Sequence, residues 1–271
     1  MKKGLIISLA LLFSFFLSAY LCARTKIYEH QTDMAGVHAT ASQLPPEVIR
    51  ALAGEFKGIV ANYLLLEAAT AIGAQNKQTT EDWEAISRLF KQSMALDPYF
   101  KQTYYLIQAT LPWETQQYDL TIELLNTSKK HRPRDWVPGF FIGFDYFYFL
   151  KDNLNGSKYL MEASKKPGAS PLLGLLGARL SQKGGQTKAG IVFLKTMYGN
   201  EENKDIKKQI KQRINALEGV LILEKAIEKF TLKFDRSPQK LDELIISDIL
   251  PALPENPYKK PYVLNDGIIE F

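Results

Sequence analysis

The fold is decided by one stretch of the chain, Phe90-Lys91-Gln92-Ser93-Met94-Ala95-Leu96-Asp97-Pro98. It places a large apolar residue first, a small residue three positions later and a proline at the end. The same order returns at steps of 35 or 34 residues, in Leu125, Ser128 and Pro133 and again in Leu160, Ala163 and Pro167. A period of this length indicates pairs of amphipathic helices, which bury their apolar faces only by stacking on one another.

This pattern resembles the tetratricopeptide repeat family in its small residues, its large apolar residues and its terminal prolines. Ile86 and Thr121 depart from it, because they stand where the family usually has alanine, and Gln108 stands where glycine or alanine is usual. The resemblance covers about residues 47–200. It implies antiparallel helix pairs and a concave surface for segments of partner proteins.

Upstream of the repeats, helical spacing begins near Pro46. Apolar residues recur there at steps of three and four positions: Val48, Leu52, Phe56, Ile59, Tyr63 and Leu66. Residues 25–46 lack such spacing and are predicted to be a tether. Four segments are therefore expected: an anchor at 1–24, the tether at 25–46, helical repeats at 47–200 and a C-terminal segment at 201–271.

An uncharged and mostly apolar run occupies residues 4–23, between Lys2-Lys3 and Arg24. As a helix it would be about 30 Å long, which matches the hydrocarbon core of a bilayer. An uncleaved membrane anchor is the interpretation favoured by this length. The alternatives are a cleaved secretory signal, although Leu21 is bulky for the cleavage site, and a bacterial lipoprotein signal lipidated at Cys22. Residues 25–271 are expected outside the cytoplasm, in a bacterial periplasm, with the anchor in the inner membrane.

The C-terminal third has a different pattern. Apolar residues from Ile206 to Phe230 predict one or two long amphipathic helices, with Gly219 as a bend or break. Ser237 and Pro238 predict the start of a short helix that ends near Asp248. Two short apolar runs flank Asn265-Asp266-Gly267 and predict a terminal β-hairpin. We expect the segment 234–271 to dock on the long helix as a cap, since the last repeat of a solenoid otherwise exposes an apolar face.

This tail resembles the C-terminal segment of the pseudopilins of type II secretion and type IV pilus systems. The matching residues are Pro238, Leu241, Glu243 and Leu244, then Asn256-Pro257-Tyr258 and Pro261-Tyr262. The processing site of a pilin is missing, because Gly4 is followed by Leu5. The predicted fold class is accordingly mainly α: a helix-pair solenoid like that of tetratricopeptide repeats, a long C-terminal helix and a small β-hairpin.

Residues 140–149 contain a dense aromatic run around Asp145. Packing in the repeat core is the favoured interpretation of most of these rings. Asp145 is expected to be a helix-surface acid bonded to a tyrosine. The candidate partner groove consists of Tyr104, Gln108, Asp145, Tyr146 and Tyr148.

Composition excludes several classes of function. Lysines are interleaved with acids, as in Glu201-Glu202-Asn203-Lys204-Asp205, which is typical of a solvated helix face and not of a nucleic-acid interface. Cys22 is the only cysteine, so an intramolecular disulfide and a multi-cysteine metal site are both excluded. His30, His38 and His131 lack the spacing of a metal site, and no catalytic or phosphate-loop motif occurs. No cofactor is expected.

The leading hypothesis is a non-enzymatic, membrane-anchored and exported scaffold or assembly protein. Its partners would be other envelope proteins, for example components of a secretion or pilus system, and residues 4–23 would contact the membrane. The alternative is an envelope enzyme, a hydrolase or transferase carried on a helical solenoid.

Overall fold

The computed structural model describes residues 12–26, 44–73 and 78–271 of the chain. The helices in these ranges are α1 (residues 12–26), α2 (Pro46–Ala53), α3 (Lys57–Ile72), α4 (Thr80–Leu96), α5 (Lys101–Glu114), α6 (Tyr118–His131), α7 (Val137–Tyr148), α8 (Asn153–Ala163), α9 (Pro171–Lys183), α10 (Thr187–Asn200), α11 (Lys204–Phe234) and α12 (Glu243–Ile246). A 3-10 turn, Gly54–Phe56, joins α2 to α3, and the strands are β1 (Val263–Asn265) and β2 (Ile268–Glu270). The predicted fold class, mainly α with successive helix packing, a long C-terminal helix and a terminal hairpin, is confirmed.

The chain forms two compact units, Met1–Ile107 and Gln108–Phe271. In the first unit, α4 packs against α2 and α3. Thr79 begins α4 with a capping box, in which its hydroxyl accepts from the N–H of Asp82 at 3.2 Å and its own N–H donates to the Asp82 carboxylate at 2.9 Å. Ser93 is buried, and its hydroxyl donates to the Ala61 carbonyl of α3 at 2.9 Å. The small residue of the first repeat therefore ties α4 to α3.

In the second unit, each helix from α6 to α11 packs against the next one along the chain. The repeated large and small residues are all buried: Leu125, Ser128, Leu160 and Ala163. Small residues bring α7 and α8 close together. A Cβ atom added at Gly143 would lie 2.9 Å from Leu160 Cγ, and one added at Gly139 would lie 3.4 Å from the Cβ of Ala163. Small residues on both helices therefore allow the close approach of α7 and α8.

Helix α11 is continuous through Gly219, so a break there does not occur. The glycine instead makes room for Tyr262 of the cap, since an added Cβ would lie only 2.2 Å from the tyrosine hydroxyl. That hydroxyl donates to the Ala216 carbonyl at 2.9 Å, and burial raises the pKa of Tyr262 to about 12. Leu244 and Ile269 share one apolar core with the last turns of α11. The predicted docking of the cap on the long helix is confirmed.

The short helix expected over residues 237–248 is wrong in its extent, because α12 covers only Glu243–Ile246. The Glu243 carboxylate accepts from the N–H of Gln239 at 2.6 Å and of Lys240 at 3.2 Å, and it pairs with Arg236 at 2.7 Å. These bonds lower the pKa of Glu243, the pair with Arg236 most of all. They hold the preceding residues in turns, so Ser237 caps no helix.

The apolar run 4–23 is described only from residue 12 onward, and residues 4–11 lie outside the described part. Residues 12–23 belong to α1, and their side chains are exposed. Across the described ranges, none of the helices combines the length and the apolarity that crossing a bilayer requires. Most of the predicted tether, with His30 and His38, also lies outside the described residues.

Candidate partner-binding surfaces

An exposed row of large apolar side chains runs along α2 and α3 in the first unit; we call it the α2–α3 stripe. It consists of the six residues whose helical spacing the sequence shows: Val48, Leu52, Phe56, Ile59, Tyr63 and Leu66. Their exposed fractions run from 41% for Val48 to 75% for Leu52. Single exposed apolar residues are ordinary, but a contiguous row usually marks an interaction site.

Helix α3 is apolar on both of its faces, which explains the stripe. Its other face, Ala61, Leu64, Leu65 and Ala68, is buried. A helix that is apolar all round is normally buried all round. Helix α3 therefore has one covered face and one face that lacks a cover within the described residues.

The spacing of the stripe suits a helical partner. From Leu52 to Leu66 the steps are four, three, four and three residues. The 3-10 turn Gly54–Phe56 interrupts this alternation, so the a/d seam of a heptad, into which the side chains of a facing helix fit, is continuous only on α3, at Ile59, Tyr63 and Leu66. Charges of both signs flank it. Arg50 and Lys57 are balanced by Glu47, Glu55 and Glu67.

The five residues of the candidate groove are placed at different depths. Tyr104 belongs to the first unit, is fully buried and stacks on Tyr105 with ring centroids 4.9 Å apart. Gln108 and Asp145 are buried in the second unit. Tyr146 is half-buried and stacks on Tyr159 at 5.6 Å, whereas Tyr148 is exposed. Of the five, Tyr148 is the one that a partner reaches directly in this conformation.

Asp145 differs from the surface acid that the sequence indicates. Its side chain has no exposed area, and Oδ1 accepts from Gln108 Nε2 at 2.7 Å, not from a tyrosine. Within the described part of the chain, Oδ2 of Asp145 and Oε1 of Gln108 have no hydrogen-bond partner. Burial raises the pKa of Asp145 to about 7, and the bond from Gln108 offsets only part of that rise. The expectation of a surface carboxylate is wrong because α7 turns this position inward.

The rings around Asp145 pack on one another, as the core interpretation requires. Phe144, Tyr148 and Phe149 all contact Trp113 of α5, with centroid distances of 4.9 to 6.3 Å, and Tyr118 stacks on Phe149 at 5.1 Å. Trp113 and Tyr148 remain about half exposed. This aromatic cluster is therefore packed but only partly buried: Phe144, Phe149 and Tyr118 are partly covered, and Trp113 and Tyr148 are exposed.

The other acid with a raised pKa is Glu224, which is half-buried and accepts from the Thr187 hydroxyl at 2.6 Å. Neither Asp145 nor Glu224 is bonded to a second acid. Within residues 12–26, 44–73 and 78–271, no three His, Cys, Asp or Glu side chains are grouped so that they could hold a metal ion.

The sequence shows the spacing of the α2–α3 stripe but not its exposure. One signal was present: Leu64, Leu65 and Leu66 are consecutive, so they cannot all face one neighbour on a helix. No family model, curated protein or solved structure matches the chain, and its function is therefore inferred from its own surfaces.

Proposed function

We propose that this protein is a membrane-anchored, exported scaffold that binds another envelope protein through the α2–α3 stripe. The observation that carries the proposal is the apolar face of α3 that is exposed within the described residues, opposite a face that is already buried. The partner segment is an amphipathic helix, because Ile59, Tyr63 and Leu66 on α3 have the a/d spacing that accommodates its apolar side chains. The helix pairs that follow, which resemble tetratricopeptide repeats, fit the same role as an assembly surface.

The charges beside the stripe favour a protein over a lipid surface as its occupant. A helix that lies in a membrane interface normally carries Lys and Arg along its polar face. Residues 46–72 contain two basic residues, Arg50 and Lys57, and three acidic ones, Glu47, Glu55 and Glu67. Arg50 is also occupied, since its guanidinium donates to the Ala95 carbonyl. Such a face has little electrostatic attraction to anionic lipids.

The membrane anchor is the second part of the proposal. It is supported by the length of the apolar run 4–23 and by the helical conformation and exposed side chains of residues 12–23. Placement in a bacterial inner membrane, with the helical units in the periplasm, is supported by the order of Lys2-Lys3, the apolar run and a large domain after it, which is usual for exported proteins. Because the tail resembles that of pseudopilins, the first candidate partners are components of secretion and pilus systems.

Site-specific photocrosslinking of the full chain in cells tests the scaffold function. A photoreactive benzoylphenylalanine replaces Tyr63 in the stripe or, as the matched control, Leu232, which is 83% exposed on α11. We expect one discrete envelope protein to crosslink from position 63 and not from position 232. Ile59→Glu should remove that adduct, while Leu232→Glu should retain it.

Ile59 is exposed, so Ile59→Glu is expected to leave the melting temperature within a few degrees of the parent, and thermal unfolding checks this. Crosslinks from position 63 only to lipid, only to a second copy of the chain, or to nothing would each contradict the proposal. An adduct that survives Ile59→Glu would place the contact away from the stripe.

A further inference from the structure

A shallow depression of about 540 Å³, open to solvent, lies beside the first turns of α11 in the second unit; we call it the lysine pocket. Its lining residues are Tyr198, Lys204, Lys207, Lys208, Lys211, Gln212, Asn215 and Pro257. The volume falls within the ~300–1,000 Å³ typical of small-molecule sites. No carboxylate is among the lining residues.

The four lysines lie on one face of α11, because residues three and four positions apart on a helix are neighbours. Lys204 therefore adjoins Lys207 and Lys208, and each of these adjoins Lys211. Like charges at this spacing destabilise a helix, by about 0.2–0.5 kcal/mol for each pair. The positive end of the helix dipole lies in the same turns and adds to the unfavourable field. The fold thus maintains a concentration of positive charge that its own stability does not require.

Two acidic residues near the pocket have other partners, whereas Glu202 and Asp205 lie beside Lys204 in the sequence without lining the pocket. Glu201 accepts from the N–H of Asn203 at 2.9 Å, and Glu218 pairs with Lys195 at 2.7 Å. Within the described part of the chain, Lys204, Lys208 and Lys211 form no ion pair. Their charge is consequently available to a ligand.

The other residues that line the pocket are held in place by hydrogen bonds and a cation–ring contact. Lys207 donates to the Glu201 carbonyl at 3.3 Å, and its ammonium group lies 4.9 Å from the centre of the Tyr198 ring. Gln212 Nε2 donates to the Pro257 carbonyl at 2.9 Å and so holds the connector before the hairpin against α11. The pocket is therefore assembled from α10, α11 and the cap, which are far apart in the sequence.

From this arrangement we propose that the lysine pocket binds a phosphate-bearing anion. Ammonium groups act as compact point charges that suit the several oxygens of a phosphate, and the amides of Gln212 and Asn215 add polar contacts. Two sources share this chemistry: a free phosphate ester and the headgroup of an anionic phospholipid. The site is distinct from the α2–α3 stripe and does not depend on the scaffold function.

Calorimetric titration of the purified full chain with inorganic pyrophosphate at 0.15 M salt tests the site. The pocket variant is Lys207→Gln/Lys211→Gln. The matched control is Lys225→Gln/Lys229→Gln, which removes two exposed lysines with the same spacing from the same helix. We expect saturable binding by the parent, a loss of affinity of tenfold or more in the pocket variant, and a change of less than twofold in the control.

The pocket variant removes repulsion between lysines but also the contacts of Lys207 with Glu201 and Tyr198, so its melting temperature should stay within a few degrees of the parent. Pyrophosphate should raise the melting temperature of the parent and the control but not of the pocket variant. No saturable binding by the parent, equal losses in both double variants, or citrate binding as tight as that of pyrophosphate would each overturn the proposal.

Vesicles distinguish the two sources of phosphate. Sedimentation with vesicles that contain phosphatidylglycerol is compared with sedimentation on phosphatidylcholine alone, for the parent and both double variants. If phosphatidylglycerol increases the fraction of protein that sediments with vesicles, and only the pocket variant loses this increase, the ligand is a lipid headgroup. If pyrophosphate binds but phosphatidylglycerol does not increase sedimentation with vesicles, the ligand is a free phosphate ester.

Discussion

At the residue scale, Asp145 is the most unusual side chain of the described structure. It is fully buried, and among the described residues its hydrogen-bond partner is the neutral Gln108, with one oxygen of each side chain left unpaired. When Asp145 is protonated it gains an O–H donor, and Gln108 Oε1 is an unused acceptor beside it. Below a pH of about 7 the pair can therefore form two hydrogen bonds, and above that pH the carboxylate is buried without a compensating charge.

We predict that Asp145→Asn stabilises the protein increasingly as the pH rises. The pKa of Asp145 is raised from 3.8 to about 7 on folding, so wild-type stability falls as the pH rises through that range and then stays constant. Between low and high pH, the free energy of unfolding of the wild type falls by at most about 4 kcal/mol. An asparagine keeps both hydrogen bonds and has no such penalty. Urea unfolding of both proteins between pH 4 and 8 measures the difference.

The increase in the free energy of unfolding caused by Asp145→Asn should be small near pH 4 and largest above pH 7. Glu228→Gln, which removes an exposed carboxylate on α11, serves as the control and should show no comparable trend. A gain that is the same at every pH would mean that Asp145 ionises normally in the folded protein.

At the element scale, the cap is held by backbone and side-chain contacts to two helices. Gln182 Nε2 of α9 donates to the Ile269 carbonyl at 3.0 Å, and Lys183 lies 3.5 Å from the Glu270 carboxylate. In the hairpin, Leu264 pairs with Ile269. Strands of three residues are too short to be stable alone, so these contacts and the apolar core with α11 maintain the hairpin.

Deletion of residues 250–271 is expected to lower the melting temperature by about 10 °C or more and to increase aggregation. The deletion uncovers apolar side chains of α11, including Leu223 and Phe230, each of which contributes about 1.5–3 kcal/mol through burial. The repeat helices should remain folded, which circular dichroism can verify. Lys260→Ala, at an exposed position of the same segment, should leave the melting temperature unchanged. An unaltered melting temperature in the deletion, together with rapid proteolysis of 250–271 in the full chain, would show that this segment is not a cap.

At the scale of the whole molecule, the proposed membrane anchor is the apolar run 4–23, and fractionation of cells tests it. We predict that a chain beginning near residue 25, exported by a cleavable signal, is recovered in the soluble periplasmic fraction, whereas the full chain sediments with membranes. The physical reason is the transfer free energy of the apolar run 4–23. Fractionation with immunodetection distinguishes the two forms. Recovery of the full chain in the soluble fraction would contradict the anchor.

The sequence by itself determined the local features of this protein. The 35-residue period predicts the buried positions Phe90, Leu125 and Leu160, and Asn265-Asp266-Gly267 predicts the hairpin, because helix and turn preferences depend on neighbours along the chain. Likewise, the apolar tail predicts the cap.

Tertiary structure alone decided which faces are covered. It buried Asp145 and left the α2–α3 stripe exposed. At Gly219, where the sequence predicts a bend or break, the helix continues and the missing side chain leaves room for Tyr262. Pro257 and four lysines of α11 line one pocket, although the lysines appear in the sequence as part of a solvated face. Burial and local charge depend on which elements meet in space. Helical periodicity identifies a face, but it does not identify the neighbour that covers it.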